Sequence, residues 1–121
     1  MIEAEFSVVI PAYNVQGYLR QAVMSVAFDD RTEVIVVDDR STDGTSALAD
    51  ELGTLYESVR VIRPPANIGL GRARNLGLAH AQGEYVVFLD GDDYLAAGAL
   101  DRLRAVVGDQ APDLVMYGYK R

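Results

Sequence analysis

The sequence predicts an α/β fold, doubly wound around a mainly parallel sheet of about five strands. Three observations predict it. Five short apolar runs alternate with segments of helical periodicity. The runs are nearly continuous and rich in Val and Ile, which suits strands covered on both faces. Unusual polar clusters follow three of the runs, so a parallel sheet would gather them at one edge.

The first run, Phe6–Ile10, leads into Pro11-Ala12-Tyr13-Asn14. Leu19, Val23 and Val26 then recur at i, i+4 and i+7, one face of a helix. The second run, Val34–Val37, ends in Asp38-Asp39-Arg40, and Leu48, Leu52 and Leu55 mark the helix behind it. Between them Ser41, Asp43 and Thr45 read as turn residues and an N-cap. The third run, Val59–Ile62, leaves through the loop Arg63-Pro64-Pro65-Ala66-Asn67. Ala73, Leu76, Gly77 and His80 share a face of the next helix, where Gly77 is expected to allow close packing on the sheet. His80, the sole histidine, reads as a packed or surface residue. The fourth run, Tyr85–Leu89, stops in Asp90-Gly91-Asp92-Asp93, and Asp92 or Asp93 also suits an N-cap before Leu95-Ala96-Ala97. Leu100, Leu103 and Val107 mark a fourth helix that Gly108 is placed to end. The fifth run is Leu114–Tyr117. The sequence stops at Arg121 directly after it, so residues 1–121 are expected to form one domain cut short of its natural end.

Composition narrows the function. At 121 residues the chain fits one domain with a real core. A net charge of −7 argues against nonspecific nucleic-acid binding, which needs basic patches. Cysteine is absent, which excludes disulfides and thiolate metal sites. There is no apolar run of about 18 residues and no signal-peptide pattern at Met1-Ile2-Glu3, which favours the cytoplasm.

The carboxylates after the fourth run carry the strongest chemical signal. Burying clustered negative charge is costly, so packing does not explain it. Hard divalent cations take oxygen ligands, commonly one or two carboxylates together with substrate phosphates. The cluster therefore reads as a metal-bridged phosphate site. Of Asp38 and Asp39, one is expected to satisfy loop donors and the other to face a ligand. Arg72 and Arg74 open the third helix two positions apart and cannot share a face. Arg74 is expected inward, beside an anion site at that helix N-terminus, and Arg72 solvated. Asn67-Ile68-Gly69-Leu70-Gly71 lacks the G-x-G-x-x-G spacing that would point to a dinucleotide.

These motifs, in order, resemble the N-terminal part of an inverting family 2 glycosyltransferase of the Rossmann-like GT-A fold. The resemblance runs from Phe6 to about Arg121 and rests on Ser7–Asn14, Val36-Val37-Asp38-Asp39, Ser41–Thr45, Asn67-Ile68-Gly69, Ala73-Arg74-Asn75 and Gly83-Glu84-Tyr85 leading into the acids. It implies a nucleotide-diphosphate sugar donor, a UDP-sugar among the candidates, held with Mn²⁺ or Mg²⁺. It implies that Pro11, Ala12, Tyr13 and Asn14 shape the nucleotide pocket, that Asp39 reads the base, and that Arg74 and Gly91 lie at the nucleotide. Asp90 and Asp92 match the family's D-x-D motif, Asp92 nearest the metal and Asp90 nearest the ribose. A carbohydrate, lipid-linked or polyol acceptor is implied, as is a cytoplasmic protein, peripheral at the inner face of the membrane in one variant. A narrower likeness is to transferases of cell-wall glycopolymer synthesis.

Two departures stand out. Arg40 replaces the glycine usual after the paired aspartates, and no residue matches the family's catalytic base. A cut sheet would expose an apolar edge, so a homo-dimer is expected. A noncatalytic module of the same fold is the alternative. A phospho-acceptor receiver domain fits length and acidity, but its paired acids would follow strand one and its acceptor aspartate strand three.

Overall fold

The structure, a computed structural model, describes residues 5–26, 29 and 31–110. In chain order the elements are β1 Phe6–Ala12, α1 Leu19–Ser25, β2 Thr32–Asp38, α2 Thr45–Leu55, β3 Val59–Ile62, α3 Leu70–His80, β4 Tyr85–Phe88 and α4 Ala99–Gln110. The strands form one sheet in the order β3-β2-β1-β4, and each neighbouring pair is parallel. The described residues thus hold four strands rather than five, and Leu114–Tyr117 lies outside them.

Every residue of β1 and β2 is buried, which explains why both read as unbroken apolar runs. Alternate side chains still divide between two faces. Val8, Ile10, Val34 and Val36 pack with Leu19 and Val23 of α1, Leu52 of α2, and Leu100 and Leu103 of α4. Val9, Ile35 and Val37 pack on the other face with Ala73 of α3. Burying a Val, Leu or Ile side chain is worth about 1.5–3 kcal/mol, so these two layers dominate stability. On the α3 side the fit depends on Gly77. A Cβ there would lie 2.3 Å from Val9 Cγ1 and 3.1 Å from Val37 Cγ2.

Three local expectations change. Leu55 closes α2 but is 60% exposed, so it does not join Leu52 in the core. Residues 94–98 are not helical, so neither Asp92 nor Asp93 caps a helix there, and α4 starts at Ala99. That helix continues through Gly108 to Gln110, since a glycine costs an α-helix only about 1 kcal/mol.

One buried acid belongs to the frame alone. Glu33, at the amino end of β2, accepts from Ser7 Oγ at 2.6 Å, from the Gln82 N–H at 2.6 Å and from Arg60 at 3.3 Å. Ser7 Oγ in turn accepts from the Gly83 N–H at 2.8 Å. This network sets the turn that enters β4 at the edge opposite the acidic loops.

Candidate functional site

Parallel register brings the three polar clusters together. Ala12 pairs with Asp38 and Val9 with Phe88, so Asp39 and Asp90 leave the sheet beside Pro11 and Ala12. Backbone bonds extend the ladder past the strands: Asp39 N–H donates to Ala12 O at 2.9 Å and Gly91 N–H to Pro11 O at 3.1 Å. Gly91 sits against that strand end so closely that a Cβ would meet Val15 Cγ2 at 3.0 Å and Pro11 O at 3.1 Å.

A cavity of about 300 Å³ opens at this edge, lined by Pro11, Ala12, Tyr13, Asp39, Asn67, Gly69, Leu70 and Ala73. Pro11 and Ala12 are buried, while Tyr13 and Leu70 stand about half exposed at its mouth. The cavity is therefore mostly apolar with a few polar groups, the usual make-up of a small-molecule site. Asp39 is one of those groups and is 3% exposed.

The paired aspartates divide their work differently from the expected split. Asp38 is fully buried and accepts from Ser41 N–H at 3.1 Å, from Ser46 Oγ and from Arg63 Nε at 2.7 Å. Burial pushes its carboxyl pKa up, but the bonds from Ser46, Arg63 and Ser41 outweigh this and hold it below the usual range. Asp39 also serves the chain. Its two oxygens accept from Ile68 N–H at 2.8 Å and Gly69 N–H at 2.9 Å. Both carboxylates thus close loop donors, and Asp39 alone also faces the cavity. The expected anion site at the start of α3 already holds an anion, the Asp39 carboxylate.

Asn14 stands apart from the cavity. At φ 52 it adopts the left-handed conformation that Asn tolerates. Its side-chain oxygen accepts from Thr42 N–H at 2.8 Å and its backbone N–H donates to Ser41 Oγ at 3.1 Å. Asn14 therefore ties the β1 loop to the β2 loop. Thr45 does the same, its Oγ1 accepting from Val15 N–H at 2.9 Å, and Asp43 caps Thr45 N–H at 2.9 Å.

Arg40 keeps the turn that a glycine would make. Its φ is 58, a left-handed conformation that costs a side-chain-bearing residue about 1–2 kcal/mol. Its Nε donates to Pro64 O at 2.6 Å.

The acidic loop flanks the cavity. Asp90, Asp92 and Asp93 each bring an oxygen within 4.8 Å of the others. Asp93 is buried, Asp90 partly so, and Asp92 is exposed. Asp93 N–H donates to Asp90 O at 3.0 Å, closing the turn around Gly91 and Asp92. Arg74 is partly buried and donates to Asp90 Oδ1 at 2.8 Å, while Arg72 is exposed. Three carboxylates so placed form an all-oxygen donor set, which fits Mg²⁺ or Mn²⁺ and suits no soft metal.

Sequence reading missed Leu70, Asn67 and Gly69 as cavity wall, whereas the acid cluster it singled out, Asp90, Asp92 and Asp93, is the one the fold gathers. A polar Asn-x-Gly step ahead of a helix was the signal for the wall residues. The paired acids follow β2 and the clustered acids follow β4, which removes the receiver arrangement.

The comparisons agree with this fold. TuaG of Bacillus subtilis, a putative teichuronic acid biosynthesis glycosyltransferase, is 42% identical over 89 residues, 72% of this chain and 35% of that protein. The poly(ribitol-phosphate) β-N-acetylglucosaminyltransferase TarS of Staphylococcus aureus is 33% identical over 96% of this chain and 21% of its own length. A crystal structure of TarS residues 1–349 with UDP-GlcNAc superposes with a TM-score of 0.81, over 88% of this chain and 32% of that one. The mannosyltransferase PcManGT of Pyrobaculum calidifontis, in complex with GDP-Man and Mn²⁺, gives 0.74 at 27% identity, over 88% of this chain and 33% of that one. The chain thus spans about a third or less of these relatives. The family described as glycosyl transferase family 2 matches residues 7–121, and the chain belongs to that family.

Proposed function

We propose that this crevice binds a nucleotide-diphosphate sugar with a divalent cation, as the donor half of an inverting transfer to a hydroxyl acceptor. The single observation that carries the reading is the convergence of cavity and acidic loop on the end of β1. Pro11, Ala12 and Tyr13 form the floor and one wall, and Gly91 packs directly on that floor. The Asp39 carboxylate, a buried group in the cavity lining, would accept hydrogen bonds from a base. TarS binds UDP-GlcNAc and PcManGT binds GDP-Man with Mn²⁺, which supports a nucleotide sugar and leaves uridine as the first base to try.

Asp92 and Asp90 would hold the cation, with Asp93 behind them. When bound, the cation neutralises the diphosphate and stabilises the departing nucleotide. Arg74 holds Asp90 in place and brings a positive charge to the same rim. Asp90, which directly precedes the Gly91 that bonds Pro11 O, would face the ribose. Asn14 acts one step back, by fixing the loop that carries Tyr13.

Inverting transfer also needs a base on the acceptor hydroxyl, opposite the leaving group. No described residue is assigned that role, so the 121-residue chain is expected to bind donor without transferring sugar. The acceptor class is a carbohydrate, lipid-linked or polyol hydroxyl, and the setting is the cytoplasmic side of the membrane. Among the described residues no helix is long and apolar enough to cross a membrane. Calorimetry with UDP, UDP-GlcNAc and GDP-Man, each with Mn²⁺ and with EDTA, tests the reading. Metal-dependent binding of at least one is expected, and no binding by any of them would overturn it.

A further inference from the structure

We infer that Arg40 is a positioning residue for the nucleotide end of the cavity, latching the β3–α3 loop to the end of β2. The inference rests on the nucleotide-binding reading above. Successive side chains of an extended strand point to opposite faces. The left-handed φ of 58 at Arg40 breaks that alternation just past β2. As a result the neighbours Asp39 and Arg40 both reach one loop. Arg40 Nε donates to Pro64 O at 2.6 Å, where the loop starts. Asp39 accepts from Ile68 N–H and Gly69 N–H, where it ends, and Asn67 Nδ2 donates to Asp39 O at 2.9 Å.

The loop is thereby pinned at both ends by two consecutive residues. Between the pins it carries Asn67, and Gly69 at its far end, both in the cavity wall. Arg40 itself is exposed and lies outside that wall, so it acts through the loop. Glycine would adopt the same φ without strain. Keeping an arginine in a disfavoured conformation makes physical sense when its side chain holds something that glycine cannot. Here it holds Pro64, which is buried, and with it the path of the wall.

The test compares Arg40→Gly, Arg40→Ala and Arg40→Lys in the 121-residue chain. The readouts are the thermal midpoint, calorimetry with UDP and Mn²⁺, and amide exchange at Ile68 and Gly69 without nucleotide. Losing one hydrogen-bonded latch should weaken UDP about threefold to tenfold. Arg40→Gly should show that loss with an unchanged or raised midpoint, because the strain goes with the latch. Amide exchange at Ile68 and Gly69 should quicken in the same variant. Arg40→Ala keeps the strain without the latch and should lose both midpoint and affinity. Arg40→Lys, with a donor of similar reach, should recover part of the affinity. If Arg40→Gly binds UDP as wild type does, or if its affinity and midpoint fall together, the positioning role is overturned. A wild type that binds no nucleoside diphosphate overturns the parent reading instead, and the exchange rates then judge the latch alone.

Discussion

The loop after β2 and the loop after β4 bring carboxylates to the same edge of the sheet and use them in opposite ways. Asp38 and Asp39 are both buried, and their oxygens meet donors supplied by the chain: Ser41, Ser46 and Arg63 for one, Ile68 and Gly69 for the other. Asp90, Asp92 and Asp93 are crowded around one glycine, each with an oxygen within 4.8 Å of the others. Like charges about 4 Å apart repel by about 4 kcal/mol at an effective dielectric near 20. Arg74 offsets part of this at Asp90, while Asp92 faces solvent. The lesson is that burial alone does not tell the acids of the two loops apart. Asp93 is as buried as Asp38. The two differ in their surroundings: Asp38 accepts from Ser41, Ser46 and Arg63, whereas Asp93 lies within 4.8 Å of two other carboxylates.

The largest effect should come from treating the β4 loop as a cation site. Asp92→Ala removes an exposed carboxylate, so its thermal midpoint should stay within about 1 °C of wild type, as surface changes usually do. Its affinity for UDP in Mn²⁺ should nevertheless drop about 100-fold, close to 3 kcal/mol. EDTA should impose a loss of similar size on the wild type and almost none on the variant. Equal affinity across all four conditions would place Asp92 outside the site and collapse the contrast between the loops.

The β2 loop should answer in the reverse sense. Asp38→Asn removes a buried charge that three donors serve and should cost about 2 kcal/mol of stability by urea unfolding. The cost is moderated because Arg63 is partly exposed and keeps Asp50 as a second partner. Asp38 also gives the pH dependence a sign. Its folded pKa lies below the unfolded value near 3.8, so its contribution is complete above that value. The contribution is lost as pH falls through the lower folded pKa. The stability gap between wild type and Asp38→Asn should therefore be full at pH 6 and shrink below pH 3.8. A gap that stays constant down to acid would detach it from the carboxylate.

Asp39 tests whether the contrast is a dichotomy. It closes loop donors like Asp38 yet lies in the cavity wall. Asp39→Asn keeps one acceptor oxygen and loses the other, so about 1 kcal/mol of stability should go. UDP affinity should fall about tenfold, one charge-assisted hydrogen bond's worth. Loss of stability alone would make Asp39 a second Asp38.

Much of the frame was legible in the sequence because β1 and β2 are buried on both faces and so spell continuous apolar runs. The order of acids along the chain also located one sheet edge, since parallel strands put all their carboxyl ends there. What could not be read were the partners of each acid. The donors that close Asp39 come from Ile68 and Gly69, about thirty residues on, and nothing local marks them. Asn14 was legible as a loop residue, but its turn away from the cavity toward Thr42 depends on a φ of 52 set by tertiary contacts. Gly108 failed as a helix stop because a single glycine inside a packed helix is affordable.

The smallest effect should come from Gly91, which connects the acidic loop to the cavity floor. A Cβ at this position would lie 3.0 Å from Val15 Cγ2, 3.1 Å from Pro11 O and 3.4 Å from Ala12 Cα. Val15 can yield a few tenths of an ångström, whereas the Pro11 carbonyl is held in β1 and also accepts the Gly91 N–H. Gly91→Ala should therefore lift the turn slightly off the floor. The cost should be about 1 kcal/mol of stability, at the low end for overpacking because one neighbour can move. The β2 loop shares no such contact, so the Asp38 contribution and its acid dependence should be unchanged in this variant. UDP affinity in Mn²⁺ should fall about threefold to fivefold, because the acids and the floor would no longer keep their spacing. A variant with the same stability loss and wild-type affinity would show that the acidic loop and the cavity work independently. That result would also break the convergence on which the contrast between the two loops depends.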